Sequence, residues 1–417
     1  MKLYSIFCLI FFSSYVCAQE KELRYEDAFY EDRIKTIQLY PNGSSIQANL
    51  EPSVIKMDDR RKLRLEFDDL NDDADYYYVY FIHCDADWTP SDLRPNMYIN
   101  GYNEFEIFDF EFSSEARINY VHYSYEFPRF KKSGNYLAVV YRNQDKKDIA
   151  LSKRFYVYQN KVGLAARIDR SATVANRRTH QRVEVTVNYQ ELTAPDPKGQ
   201  FTVLVRQNER PDRQRFLSPT YIDENSKLLR YQNLDENNEF IGGNEFRFFD
   251  LSTVNFGGRN VANTQFIKNK PYTTLQTDRQ ANVSYLINLD LNGKYFIRDL
   301  EGRDSRLTSE YVNIKFSLDY PKINENIYLV GNFNNWEYNE SSRMKYNPAT
   351  DNYENQYLLK QGWYDYAYMV NGRNPQEIER SFYETENIYE VMVYFKPMGA
   401  RGDELVGYYK VNFNRNR

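Results

Sequence analysis

The residues that could do chemistry are few. His83, Cys84 and Asp85 stand in a row, with Asp87 and Trp88 just beyond. A histidine beside a cysteine invites a thiolate–imidazole nucleophile or a zinc site. The first needs both side chains on one face, and strand neighbours point to opposite faces, so His83 and Cys84 cannot readily share a proton. A structural zinc site wants four ligands. The chain has three cysteines, and two of them, Cys8 and Cys17, lie in an apolar leader. The other histidines, His122 and His180, show no H-x-x-x-H or H-E-x-x-H pairing. Residues 68–75 (DDLNDDAD) could bind calcium but lack the Gly and terminal Glu of an EF-hand loop, so a solvated turn is expected. Gly242-Gly243 and Gly257-Gly258 have no following Lys-Ser/Thr, so no phosphate loop is present. Arg401-Gly402-Asp403 matches an adhesion tripeptide, a three-residue pattern that carries little by itself. Catalytic, metal and cofactor sites are therefore expected to be absent.

The elements that hold these residues read as strands. Residues 34–40 (IKTIQLY), 63–67 (LRLEF), 76–82 (YYYVYFI), 135–141 (NYLAVVY), 155–158, 183–189 and 201–205 are short runs rich in β-branched and aromatic types. Each is bounded by Asn, Asp, Gly, Pro or Ser. No amphipathic helix of more than about three turns stands out. Many short strands with turn signals between them predict an all-β chain of tandem β-sandwiches. Breaks after residue 158 and near residues 299–307 (DLEGRDSRL) suggest domains at 28–158, 159–305 and 306–417.

The composition limits the partners. The net charge is −5, acids and bases are interspersed, and no basic run exists, which argues against nucleic acid and anionic membrane. There are 39 Tyr and 27 Phe, residues that suit half-buried sheet faces and protein interfaces. The N-terminus reads MKLYSIFCLIFFSSYVCAQ, a cationic start and a short apolar run with a small-residue cleavage site. It predicts a signal peptide over residues 1–18. Acylation of Cys17 fits less well, because Ser14, Tyr15 and Val16 are a poor lipobox. With the leader removed, Cys84 would be the lone cysteine and no intrachain disulfide could form. No later stretch is long and apolar enough for a membrane helix.

Two regions carry resemblances. Residues 327–336 (IYLVGNFNNW) and 359–372 (LKQGWYDYAYMVNG) resemble the early-set immunoglobulin-like domain of glycogen- and starch-binding modules. Asn371-Gly372 is a two-residue hairpin signal there. The resemblance makes Trp336 and Trp363 candidate glycan contacts and suggests, as an alternative function, a periplasmic carbohydrate-binding scaffold. Against that, Ala367 and Asn374 stand where such modules carry a Lys and a second Trp, which leaves Trp336 and Trp363 to packing.

The second resemblance covers nearly the whole chain. Residues 34–40, 65–70 (LEFDDL), 83–93 (HCDADWTPSDL), 127–128 and 132–136 look like the plug proteins of the Bacteroidota type IX secretion system. His83, Cys84, Asp85, Asp87 and Trp88 then belong to a family signature of structural character. The resemblance implies a non-enzymatic periplasmic protein at the outer membrane. It would bind and seal the periplasmic mouth of the SprA-type outer-membrane translocon barrel, with no small-molecule substrate.

Overall fold

The computed structural model describes residues 21–43, 48–232, 236–302, 304–372 and 376–414. The expected signal peptide, with Cys8 and Cys17, and the Asn374 position lie outside them. The described chain is nearly all β, in tandem β-sandwiches built from six sheets.

The first sandwich pairs two antiparallel sheets. One runs Ala28–Phe29, Ile149–Tyr158, Gly134–Arg142, Tyr77–Cys84 and Phe105–Ile107, with Val54–Lys56 added in parallel beside Ile149–Tyr158. The other runs Ile34–Pro41, Leu63–Asp69, Val121–Glu126 and Asp109–Phe112. Strand alternation sends Leu65, Phe67, Val79, Phe81, Tyr123 and Tyr136 into the core between them. The strand Gly134–Arg142 is buried along eight consecutive positions. Tyr136, Ala138 and Val140 face this core, while Leu137 and Val139 face a second apolar cluster. A strand buried on both faces has no reason to alternate, which is why its sequence does not.

The second sandwich sets Gly163–Arg170, His180–Asn188, Leu228–Tyr231 and Tyr221–Asp223 against Gln214–Leu217, Phe201–Gln207, Asn387–Phe395 and Glu404–Phe413. The third sets Arg247–Asp250, Gly362–Val370, Tyr295–Ile297 and Ile327–Val330 against a sheet containing Val261–Ile267, Lys270–Leu275, Tyr311–Asp319 and Asn352–Lys360.

The pairing does not follow the boundary expected at residue 305. Strands from 247 to 297 pair with the third sandwich, whereas Asn387–Phe395 and Glu404–Phe413 complete the second. The third sandwich is thus inserted into the second. The cause is the strand Asn387–Phe395, buried at all nine positions. It is central in its sheet, with Tyr389, Val391 and Val393 in the second core and Met392 and Tyr394 turned toward the first sandwich. For the same reason Asn371-Gly372 does not turn a two-residue hairpin. The strand before it ends at Val370, and the next strand, Asn387–Phe395, lies in another sheet.

Candidate functional site

The signature residues sit at a seam between the first and second sandwiches. His83 ends a strand and is 1% exposed. Its Nδ1 lies 2.9 Å from Ser91 Oγ and its Nε2 lies 3.3 Å from the Ser133 carbonyl. Burial pulls its pKa down, which favours the neutral ring. Cys84 turns the other way, into the apolar cluster that also holds Trp88, Leu137, Tyr156, Leu204, Met392 and Leu405. Burial pushes its thiol up to about 12, far from the depressed values of nucleophilic cysteines. His83 and Cys84 therefore make no catalytic pair.

Beyond Cys84 the chain folds into a clasp. Asp85 accepts from the Asp403 backbone N–H at 2.9 Å and pairs with Lys396 at 2.9 Å. Asp403 returns the contact, accepting from the Ala86 N–H at 2.9 Å. The Asp92 N–H donates to the Arg401 carbonyl at 2.9 Å. Residues 401–403 are thus half of an internal joint: Gly402 is buried, and a Cβ there would meet Ser91 and Leu93 side chains at 3.0 and 3.2 Å. Asp87 closes its own turn, accepting from the Thr89 N–H and hydroxyl at 2.9 and 2.6 Å. Trp88, at φ 71°, is 5% exposed and lies edge-on to Tyr156, with the Arg154 guanidinium 4.2 Å from its ring centre. That arginine contact adds cation–π attraction to the packing. Arg206 reinforces the seam through Glu390 at 2.8 Å and the Tyr156 hydroxyl at 2.8 Å.

A second joint ties the first sandwich to the third. Asp68 is fully buried, and so, within 1%, is Lys360. Their side chains meet at 2.7 Å. The Tyr311 hydroxyl donates to the same carboxylate at 2.7 Å, and His122 Nδ1 reaches its other oxygen at 2.7 Å. Lys360 also donates to the Arg306 carbonyl at 2.6 Å and stands 4.1 Å from the Tyr120 ring centre. Nearby, Glu310 accepts from the Arg117 backbone and guanidinium at 2.9 and 2.6 Å. Burial would raise Asp68, yet Lys360 and His122 hold it below the ordinary carboxylate range. Burial pulls Lys360 down in spite of Asp68. For His122, burial acts downward, but hydrogen bonding to Asp68 and then the proximity of Glu66 carry its pKa above the ordinary value.

This joint corrects the reading of residues 68–75 as a solvated turn at Asp68 and Asp69, while residues 71–73 do bend between strands with Asp72 and Asp73 exposed. Asp68 and Asp69 end a buried strand, and Asp69 accepts from the Tyr77 hydroxyl at 2.8 Å and pairs with Arg33 at 3.2 Å. No local pattern signals this pair, since Asp68 and Lys360 are 292 residues apart.

The two glycan candidates differ in exposure: Trp336 is buried and Trp363 half-buried. Trp336 is 4% exposed, between Phe246 and the Arg210 guanidinium, which lies 4.0 Å from its ring centre. Gly293 permits that fit, because a Cβ there would meet the indole at 2.4 Å. Trp363 has Phe248 stacked at 4.2 Å on one face, and its Nε1 donates to Asp365 at 2.8 Å. A sugar platform needs an open ring face, and Trp336 offers none. Ala367 is buried beside it.

One pair of carboxylates, the buried Asp365 and the half-buried Asp290, does come together. Asp365 is raised to about 7 by burial, and Asp290 is raised by burial and by Asp365. Their oxygens accept from the backbone N–H groups of Phe246, Leu291, Asn292 and Gly293. They shape the loop before Lys294 instead of facing a substrate. Among the described residues no group of His, Cys, Asp and Glu is arranged to hold a metal ion, and no helix is long and apolar enough to cross a membrane.

Comparison with known proteins follows the first sandwich closely. Residues 34–159 match the family described as the type 9 secretion system plug protein 1st domain. A crystal structure of a hypothetical protein from Parabacteroides merdae superposes with a TM-score of 0.87 at 29% identity, covering 94% of this chain and all of that one. No curated protein sequence matches.

Proposed function

The chain belongs, through residues 34–159, to the type 9 secretion system plug proteins, and from that premise we propose that it is a non-enzymatic periplasmic stopper. It would bind the periplasmic mouth of the SprA-type translocon barrel and close it when no substrate is passing. The family match carries this reading. The fold is in keeping with it, because a stopper must resist deformation, and three sandwiches joined through buried apolar and ionic seams have little freedom to move against one another. The buried, up-shifted Cys84 thiol and the internally committed His83 and Asp85 supply no nucleophile for a hydrolytic role.

Affinity purification of the translocon barrel from cells carrying a tagged copy tests the proposal. Co-purification in the substrate-free state, together with a leakier outer membrane on deletion, is the expected result. A barrel that purifies without this protein, and unchanged leakage on deletion, would sink it.

A further inference from the structure

Between the first and third sandwiches, on the solvent side of the Asp68–Lys360 joint, lies a cleft of about 480 Å³. That volume is within the range of small-ligand sites. Arg64 enters it from the strand Leu63–Asp69, Arg298 follows the strand Tyr295–Ile297, and Arg306 comes from the helical turn Ser305–Thr308. His122 and Lys360 form part of its wall.

The acids around the cleft are already committed. Glu66 accepts from the Tyr40 hydroxyl at 2.7 Å, Asp304 pairs with Arg306 at 2.7 Å, and Asp68 is taken by Lys360, His122 and Tyr311. The cations are not all matched. Among the described residues the guanidiniums of Arg64 and Arg298 have no hydrogen-bond or ion-pair partner, and Arg64 Nε is buried without an acceptor. His122 is 5% exposed and its Nε2 is also without an acceptor, because the nearest Glu66 oxygen is 3.9 Å away, beyond hydrogen-bond reach. A buried donor left without an acceptor is destabilising. Arg64 and Arg298, whose guanidiniums have no partner among the described residues, both line this cleft.

We infer that this cleft binds a compact oxyanion bearing phosphate or carboxylate groups, held by the guanidiniums of Arg64 and Arg298. Guanidinium groups favour such ligands because their paired N–H donors match two oxygens at once. The site is independent of the sealing role. Its ligand would bridge the first and third sandwiches, since Arg64 belongs to one and Arg298 to the other.

Isothermal titration of the full chain with pyrophosphate and with citrate at low salt tests the inference and separates the two ligand chemistries. Binding of either probe is expected, weakened about tenfold or more, or ~1.4 kcal/mol per tenfold, by Arg298→Gln and by Arg64→Gln. Arg298 is exposed, so its substitution leaves the core intact even if Arg64→Gln disturbs folding. Lys345→Gln, on an exposed strand of the third sandwich outside the cleft, should leave binding unchanged. Binding of neither probe, or binding that Arg298→Gln leaves unaltered, overturns the site. Co-purification with the translocon does not depend on this outcome, so the two readings fail separately.

Discussion

Lys360→Met removes one charge from the buried joint between the first and third sandwiches. Lys360 and Asp68 are 1% and 0% exposed in their side chains, so water cannot take over the lost contact. Breaking a buried pair by removing one partner costs ~3–5 kcal/mol, because the remaining charge stays buried. Asp68 keeps the Tyr311 hydroxyl and His122 at 2.7 Å each, which brings the expected cost toward the lower end, about 3 kcal/mol. At roughly 2–4 °C per kcal/mol for a unit of this size, the melting transition should fall by about 6–12 °C. Asp68→Leu combined with Lys360→Met should recover much of the loss, since an apolar pair of similar volume is often neutral. Thermal melting, with hydrogen exchange read across the strands Leu63–Asp69 and Tyr311–Asp319, supplies the assay. A Lys360→Met cost below about 1 kcal/mol, or a double variant whose cost is the sum of the two singles, would refute the buried-pair reasoning.

His122 has a raised folded pKa, so its contribution is fully present below the unfolded value near 6.5 and fades as pH rises through the folded value. Wild type should lose stability to alkali across that interval, whereas His122→Gln should show a flatter profile in the same denaturation series. Gly134 adopts φ +151°, and a Cβ there would meet His83 Nε2 at 2.3 Å. Gly134→Ala should therefore cost about 1–3 kcal/mol, and a denaturation midpoint equal to wild type would be the contrary result. The Cys84 thiol should resist alkylation at neutral pH until the protein unfolds, as followed by thiol-reagent absorbance in native and denaturing buffer. Rapid native labelling would contradict its burial.

The strands were legible because β-branched and aromatic runs bounded by turn residues state their own type. Residues 34–40, 63–67 and 135–141 fall within strands that the structure extends by a residue or two. Strand pairing was not legible. Nothing within residues 387–395 tells that they sit between strands 201–207 and 404–413, although the non-alternating apolar run 391–395 marks a strand covered on both faces. Local chemistry misled where the partner was remote. Asp68 reads as part of a solvated acidic turn until Lys360 and Tyr311 arrive from another sandwich. Residues 401–403, a pattern that carried little by itself, form part of an internal joint in which Asp403 accepts from the Ala86 N–H.

The sealing role is open to one direct measurement, the ionic conductance of the purified translocon barrel in a planar bilayer, with this protein added on the periplasmic side. Conductance should fall to the baseline on addition and return when the protein is stripped away. A barrel that binds the protein and still conducts at its open level would contradict the plug assignment.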